Sequence, residues 1–453
     1  MAELTHSQII LLYNLIYLDN VAEQNGKTVG VIINNLLKGE LDKSIEINDD
    51  GVSVYPGQME REEWIAVLEA IQKDSQLMSL IVENGDPGIT RDKNGQPVWD
   101  GKNNRILQKS ARMATFVSPD GKEATVVFRG TAGDYEWHDN GTGGYLSDTE
   151  MQKAALEYVE KLDYDKITVT GHSKGGSKAQ YVAILSDKVY RAVSLDGQGY
   201  SKEFTEKYKD EIKENAHKIT SISAEYDFVN VLLHTIAEKV IYIDTEKQEE
   251  LIQNHKPNIV LNELGQLRDP VNQTAFAKTV NDLTIYLSEN MEEPDRSYVI
   301  DGLIAMLEEG DQGFLKESDE QMEKSKELLY PYVKEYILQK LSEGSTDFAG
   351  LFSFIALRPG GPFTLDEYAS HIKENTENAS YLKALWNDLG LLFGDMIKEM
   401  VSEYLHDLAE YISEKAQHVA AGIVEFIQKS TKAGMTWLRR SVASWRNSRL
   451  PAR

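Results

Sequence analysis

Residues 171–175 read Gly-His-Ser-Lys-Gly, and they lie between an apolar strand pattern at 167–170 and a helix pattern at 177–185. A Gly-x-Ser-x-Gly turn between a strand and a helix is the pattern of a nucleophile elbow. The turn is too tight for a Cβ atom at either glycine. It leaves Ser173 at its apex beside a helix N-terminus, where partial positive charge and backbone N–H groups suit an anionic intermediate.

The composition excludes several classes of function. With 453 residues, 41% of them hydrophobic, the chain is long enough for two or three domains with real cores. Its net charge of −25 argues against a general nucleic-acid binder, which would carry a basic surface. Because the chain has no cysteine, disulfides, thiolate nucleophiles and cysteine zinc sites are excluded.

The N-terminal segment lacks the features of a secretory signal. It has neither a positively charged stretch nor a small-residue cleavage site. The sequence contains no run of about 18 uncharged apolar residues, so no transmembrane helix is predicted. We therefore expect synthesis in the cytoplasm without a cleaved signal peptide, and secretion, if it occurs, by a route that reads another signal.

Strand and helix patterns alternate through the middle of the chain, which predicts a doubly wound, mostly parallel α/β sheet. Its functional groups should lie at the carboxyl ends of the strands. The segment 84–104 is predicted to form loops, and its Asp-Lys-Asn-Gly at 92–95 matches only a fragment of a calcium loop. Predicted helices cover 7–38, 60–82 and 149–161, and predicted strands cover 113–117, 124–131, 167–170, 191–195, 218–223 and 240–244.

The last third of the chain has a different pattern. Strand signals end near residue 275, and an apolar stripe at helical spacing runs through 380–428. This stripe fits either an intramolecular bundle or a docking surface for partner helices. The basic tail from 428 onward fits either contact with an anionic membrane or acidic partner, or a solvated helix end. We expect one domain over 1–310 and an all-α domain over 320–453.

A serine nucleophile needs a base, and the base needs an acid to orient it. In hydrolases with an elbow of this kind the chain order is serine, acid, histidine. Asp227 follows the later strand and is the favoured acid, whereas Asp196 and Glu225 remain alternatives. Without these partners, the elbow pattern would also fit an ordinary turn rich in glycine and serine.

Three histidines follow the acid candidates. His255 lies in a polar segment after one more strand, where a mobile general base is expected, and it is the favoured base. His234 lies in an apolar run and is expected to have a structural role, and His371 lies in the distant helical region.

An oxyanion hole needs two N–H donors aimed at the developing charge. The backbone of Lys174, directly after the nucleophile, should supply one. The segment 128–131 ends an early strand and should supply the other, with the Thr131 hydroxyl as an additional donor. The same segment also fits a simple turn at the end of a strand.

These motifs together resemble the lipase-like α/β-hydrolase family of Firmicutes, which is related to class 3 lipases. The resemblance covers roughly residues 1–310. It implies an α/β-hydrolase fold with Ser173, Asp227 and His255 as the triad. The matching features are Phe-Arg-Gly-Thr at 128–131, Glu136, Trp137, Asn140, the helix near 152–158, Gly-His-Ser-Lys-Gly-Gly at 171–176, Leu-Asp-Gly at 195–197, and a late histidine followed by proline at 255–257.

The order of the domains resembles that of the type VII-secreted lipase toxins of staphylococci, with the two domains reversed. This resemblance implies phospholipase activity against competitor membranes and export by type VII secretion. It also implies small helical partner proteins on the C-terminal helices and a cognate immunity protein. We find no Trp-x-Gly or tyrosine-based export signature, so the expectation of export rests on the architecture.

The sequence therefore predicts a serine lipase or phospholipase that acts through an acyl-enzyme and needs no cofactor or metal. A cytoplasmic small-ester carboxylesterase or thioesterase is an alternative, and the preferred chain length of the ester would distinguish the two. A catalytically inactive hydrolase fold used as a binding module is a further alternative. The presence of a nucleophile, an acid, a base and oxyanion donors favours an enzyme.

Overall fold

The computed structural model describes residues 2–47, 53–99, 110–131, 134–248 and 251–307, with short segments at 324–325, 327–329, 331–332 and 335–336. The chain divides into two compact units, Met1–Ser325 and Lys326–Arg453. The predicted boundary between 310 and 320, the apolar stripe at 380–428 and the basic tail all lie outside the described residues.

A mostly parallel, eight-stranded sheet forms the centre of the first unit. Its strands are arranged in chain order across the sheet, and β5 to β9 run parallel to one another. β3, β4 and β10 are antiparallel to their neighbours at the two edges, and β1 pairs with β2 in a separate small sheet. The strands are β1 (Glu46–Ile47), β2 (Ser53–Val54), β3 (Ile81–Asp86), β4 (Met113–Val117), β5 (Glu123–Phe128), β6 (Lys166–His172), β7 (Val189–Leu195), β8 (Ile219–Ala224), β9 (Lys239–Ile243) and β10 (Pro270–Val271).

Helices cover both faces of this sheet. The α-helices are α1 (His6–Asn14), α2 (Asp19–Ala22), α3 (Val29–Asn35), α4 (Arg61–Gln72), α5 (Ser75–Ser79), α6 (Asp134–Thr142), α7 (Glu150–Glu160), α8 (Lys174–Leu185), α9 (Lys202–Lys207), α10 (Lys209–Asn215), α11 (Ala275–Asn290) and α12 (Asp295–Leu307). Short 3-10 turns lie at Leu15–Tyr17, Leu41–Ser44, Pro56–Gln58, Ala216–Lys218 and Leu251–His255, and a π-helical turn at Leu36–Glu40. None of the described helices combines the length and apolarity that a bilayer crossing requires.

Two hydrophobic cores follow from the alternation of side chains along each strand. On β5, Val127 packs with residues of α1, α3 and α4 in one core. Its neighbours Val126 and Phe128 point to the other face, where they pack with residues of α7 and α8. The sequence prediction of a doubly wound α/β sheet is thus confirmed for the first unit.

Capping residues fix where the helices begin. The Thr149 hydroxyl accepts a hydrogen bond from the backbone N–H of Gln152 at 3.3 Å, and the Gln152 side chain accepts one from the Thr149 N–H at 3.0 Å. This capping box satisfies two N–H groups that the first turn of a helix leaves unpaired. α7 therefore starts one residue after the threonine.

The edge strand β3 was not predicted, because its first residues were assigned to the helix over 60–82, a segment whose helical part in fact ends at Ser79, and its second half, from residue 84, resembles a loop. Asn84 has a left-handed backbone (φ 50°), and a Cβ atom on Gly85 would lie 1.9 Å from the carbonyl oxygen of Ala22. The pairing with β4 shifts register between Glu83 and Asp86. The polar, glycine-containing sequence thus encodes a bulged edge strand.

The fragment of a calcium loop at 92–95 forms a turn stabilised by its own carboxylate. One oxygen of Asp92 accepts hydrogen bonds from the backbone N–H groups of Asn94 and Gln96, at 2.8 and 2.9 Å. The Asp92 carboxylate thus takes the place of a backbone acceptor within its own turn.

Candidate active site

The turn between β6 and α8 has the geometry of a nucleophile elbow. Ser173 has φ 58° and ψ −127°, which is a sparsely populated conformation for a residue with a Cβ atom. A Cβ atom on Gly175 would lie 2.1 Å from the carbonyl oxygen of Phe128, and one on Gly171 would lie 2.4 Å from the carbonyl carbon of Gly175. Both positions thus exclude a side chain, and the chain can turn sharply only because both are glycines.

The Ser173 side chain is not used to cap the helix that follows it. Ser173 occupies the N-cap position of α8, yet its hydroxyl accepts no hydrogen bond from the first turn. Its backbone N–H donates to the carbonyl oxygen of Leu195 at 2.9 Å, which ties the elbow to β7. The residue is 9% exposed, so Ser173 is nearly buried.

The structure brings Asp227 and His255 into direct contact. Nδ1 of His255 is hydrogen-bonded to Oδ2 of Asp227. The other carboxylate oxygen of Asp227 accepts the backbone N–H groups of Val229 and Asn230, both at 2.7 Å. These three hydrogen bonds fix the orientation of the Asp227 carboxylate, and the carboxylate in turn orients the imidazole of His255.

His255 lies beside the elbow, although the sequence suggested a mobile polar loop. It ends the 3-10 turn Leu251–His255, and its side chain is only 10% exposed. Its ring centroid is 4.5 Å from that of His172, the residue directly before Ser173. Nε2 of His255 is buried and makes no hydrogen bond to any residue that the structure describes. In many unliganded enzymes the hydrogen bond between the catalytic serine and histidine is long or poorly aligned, and it tightens only when substrate binds.

Opposing effects determine the pKa of His255. Burial lowers its pKa, but the charges of Asp227 and Asp196 and the hydrogen bond to Asp227 raise it, and the net pKa lies above the usual 6.5. The cationic form that a general base adopts after taking a proton is therefore stabilised.

The alternative acid, Asp196, lies nearby but has other partners. Its Oδ1 accepts hydrogen bonds from the Ala224 backbone N–H at 2.7 Å and from the Asn230 side chain at 2.8 Å. Burial, followed by the charge of Asp227, raises the pKa of Asp196 well above its usual value. Among the described residues, it is Asp227 that bonds to His255, and Asp196 is a second buried carboxyl group in the site.

The remaining acid and base alternatives lie elsewhere. His234 is half-buried, with Nε2 3.7 Å from the carboxylate of Glu289. Glu225 is half-buried at the end of β8, and its backbone N–H donates to Ile243. His371 lies outside the described residues.

The loop after β5 lies against the elbow, where the oxyanion donors are expected. A Cβ atom on Gly130 would lie 3.4 Å from Cβ of Ser173. The Thr131 hydroxyl oxygen accepts a hydrogen bond from the Asn140 side chain at 2.8 Å, so the hydroxyl proton can be donated elsewhere. Lys174 is the first residue of α8, and its backbone N–H belongs to the helix N-terminus.

Two buried lysines of α8 anchor α6 over the elbow, an arrangement that the sequence did not indicate. Nζ of Lys174 is 2.6 Å from the Asp139 carboxylate. Nζ of Lys178 is fully buried, 3.2 Å from Glu136, and Arg112 approaches Glu136 at 3.3 Å. Residues of the Glu136-to-Asn140 segment are thereby held against the proposed oxyanion loop.

A tyrosine from the N-terminal region also reaches the site. The Tyr17 hydroxyl lies 2.5 Å from Nδ1 of His172, and a Cβ atom on Gly130 would lie 2.5 Å from the same hydroxyl. Burial, followed by the charge of His255, holds the pKa of His172 well below its usual value. No local sequence signal relates Tyr17 to the elbow, because the contact depends on how α1 and the following turn cross the sheet.

One set of side chains in the site has the composition of a metal-ligand set. His172, Asp196 and His255 each offer one donor atom, and these atoms lie within 4.8 Å of one another.

Part of the chain matches a known family model. Residues 102–305 match the model described as Mbeg1-like, a lipase-like family. The range is less than half of the chain, and it includes Ser173, Asp227 and His255 but not Tyr17. Over this range the chain is lipase-like in sequence.

Comparison with solved structures yields distant similarities. The M37 lipase is 14% identical over 51% of this chain and 70% of its own, with a TM-score of 0.28. The Lip2 lipase from Yarrowia lipolytica is 14% identical over 39% of this chain and 72% of its own, with a TM-score of 0.24. Similarity at this level adds nothing to the fold described above. No curated protein matches the chain.

Proposed function

We propose that this protein is a serine hydrolase of acyl esters, in which Ser173 is the nucleophile, His255 the general base and Asp227 the orienting acid. The observation that carries the proposal is the hydrogen bond between Nδ1 of His255 and Asp227, formed beside an elbow whose serine has a strained backbone. A nucleophile, a base and an orienting acid are the three parts that acyl transfer by serine requires.

The proposed reaction proceeds through an acyl-enzyme. Ser173 Oγ adds to the ester carbonyl carbon while Nε2 of His255 takes the hydroxyl proton. The backbone N–H of Lys174 and the loop around Thr131 stabilise the resulting oxyanion. When the tetrahedral intermediate collapses, the bond to the alcohol breaks and His255 returns the proton to the leaving oxygen. Water then releases the acid by the same steps, with His255 again as the base.

Within this chemistry we propose membrane lipids, and phospholipids in particular, as the substrates. The match of residues 102–305 to a lipase-like family supports a lipid acyl ester. The alternative substrates are small water-soluble esters or thioesters, which the same triad could hydrolyse.

Hydrolysis of phospholipid vesicles tests this proposal, with fatty acid release as the readout. The wild-type protein should release fatty acid, and Ser173→Ala should not. Ser177→Ala is a matched control, because it removes another buried hydroxyl from the same helix. Turnover of short-chain esters without release from vesicles would indicate a small-ester hydrolase, and equal release by Ser173→Ala would refute the proposed nucleophile.

We further propose that the protein is an antibacterial toxin exported by type VII secretion, with helical partner proteins on its C-terminal helices and a cognate immunity protein. The support is the apolar stripe at 380–428 and the order of the domains. In a host strain that lacks the type VII motor, the protein should disappear from the culture medium and accumulate in cells. Unchanged amounts in the medium would contradict this proposal.

A further inference from the structure

Three buried polar atoms of the site have no hydrogen-bond partner among the described residues. They are Nε2 of His172, Oδ2 of Asp196 and Nε2 of His255. The three residues are the same set whose donor atoms lie within 4.8 Å of one another. A buried polar atom without a partner costs free energy, and three together call for an explanation. The proposed hydrolysis uses one of them, Nε2 of His255.

The other polar atoms of these side chains are already bound in a way that leaves the three atoms free for a ligand. Nδ1 of His255 is bonded to Asp227, and Nδ1 of His172 lies 2.5 Å from the Tyr17 hydroxyl. Oδ1 of Asp196 is held by Ala224 and Asn230. Histidines that bind metals through one nitrogen normally have the other nitrogen fixed by such an outer partner.

Two imidazoles and one carboxylate form a donor set that suits Zn²⁺. Sites of this composition hold zinc through three protein ligands, with a fourth position open. Tetrahedral zinc with bonds of about 2.0–2.2 Å needs donors about 3.3 Å apart. Because the donor atoms lie within 4.8 Å of one another, they would have to approach by at most about 1.5 Å to meet this geometry. Mg²⁺ and Ca²⁺ prefer oxygen ligands and fit this set poorly.

We propose that His172, Asp196 and His255 form a zinc site that inhibits the enzyme. Zn²⁺ on Nε2 of His255 occupies the nitrogen that must accept the Ser173 proton, so the metal-bound and catalytically active states exclude each other. The inhibitory effect rests on the proposed function, whereas the binding of zinc does not.

The test uses the full-length Ser173→Ala protein, in which metal binding is measured without turnover. Calorimetric titration with Zn²⁺ should show saturable binding of one ion. Co²⁺ in the same protein should give the intense visible absorption of a low-coordinate ion, and Mg²⁺ should not compete. In this Ser173→Ala protein, a second substitution, either Asp196→Asn or His172→Gln, should weaken zinc binding at least about tenfold. His234→Gln, which removes a histidine outside the set, should leave the affinity unchanged.

A second measurement separates the site from its effect. In the wild-type protein, Zn²⁺ should abolish ester hydrolysis, and a chelator should restore it. If the folded Ser173→Ala protein shows no saturable binding, or if both ligand variants bind as tightly as their parent, the site is refuted. Should zinc bind without reducing an existing activity, inhibition is refuted. If zinc binds as expected but the wild-type protein hydrolyses no ester, the proposed function fails and the site stands.

Discussion

At the scale of single residues, strain and hydrogen bonding concentrate at the same place. The backbone of Ser173, at φ 58° and ψ −127°, costs on the order of 1–3 kcal/mol relative to a relaxed conformation. The close packing of Gly171 and Gly175 against the end of β5 holds this conformation. The strain therefore lies at the residue proposed to react, with the bonded pair Asp227 and His255 beside it.

The two buried aspartates should differ sharply in their importance for activity. Asp227→Asn should lower kcat/KM by about 10³- to 10⁴-fold, because the amide no longer holds His255 in the required tautomer or stabilises its cation. Asp196→Asn should cost less than about tenfold, since its bonds to Ala224 and Asn230 do not involve the base. Steady-state kinetics on a soluble ester checks both, and the reverse ranking would make Asp196 the acid.

The pH dependence should report the raised pKa of His255. A general base acts in its neutral form, so kcat/KM should rise with pH as His255 loses its proton. The midpoint should lie above 6.5, because the carboxylates outweigh the effect of burial. Asp227→Asn should move the midpoint of the residual activity to lower pH. A wild-type midpoint below 6.5, or one that is insensitive to Asp227→Asn, would contradict this assignment.

The sequence identified some of these residues correctly as neighbours, and the structure shows the physical reason. Ser173, Asp227 and His255 follow three different strands, and the carboxyl ends of parallel strands meet at one edge of the sheet. Their catalytic roles remain predictions. Tyr17 and His172 could not be paired from the sequence, because their contact joins positions 155 residues apart and depends on how the N-terminal segment packs.

At the scale of secondary-structure elements, α8 both positions the serine and anchors α6. Lys178 appears in the sequence as an ordinary polar position on a helix, yet its Nζ is buried and donates to Glu136 and to the carbonyl oxygens of Ala111 and Arg129. Long-range packing creates such a network, so helical periodicity alone does not reveal it. β3 was missed for a similar reason, since its pairing with β4 outweighs the loop character of its sequence.

Removal of the buried lysine should be costly. Lys178→Met should lower the free energy of unfolding by about 2–4 kcal/mol, because it removes the three buried hydrogen bonds that Nζ donates to Ala111, Arg129 and Glu136. Lys161→Met is the matched control. It removes an ion pair with Glu157, and because the two side chains are 69% and 71% exposed, its effect on the free energy of unfolding should be far smaller. Urea unfolding measures both, and equal effects would show that the buried network does not stabilise α6.

At the scale of the whole molecule, the division of the chain separates the elements of the proposed active site from the C-terminal region that the sequence predicts to be helical. The first unit, Met1–Ser325, contains every residue of the proposed active site and the full eight-stranded sheet. Alternating strand and helix patterns predicted the sheet at the centre of this unit, because central strands such as β5 and β6 consist almost entirely of buried residues. The helical patterns beyond it have charged and apolar faces that fit more than one arrangement, so the sequence alone does not determine how they pack.

A protein truncated after Ser325 should therefore fold and retain catalysis. We expect its activity on a soluble short-chain ester to lie within about threefold of that of the full chain, since domains with their own core fold independently. Circular dichroism and steady-state kinetics check this expectation. A folded but inactive fragment would mean that the second unit contributes to the active site.

The most direct test of the account is covalent labelling of the nucleophile with a fluorophosphonate, followed by peptide mass spectrometry. Such a reagent reacts with a serine that a histidine has activated, whatever the natural substrate. We predict one label per chain, on Ser173, with labelling lost in Ser173→Ala and strongly slowed in His255→Gln. A wild-type protein that takes up no label, or takes it up at another residue, would contradict the claim that Ser173, His255 and Asp227 form a catalytic triad.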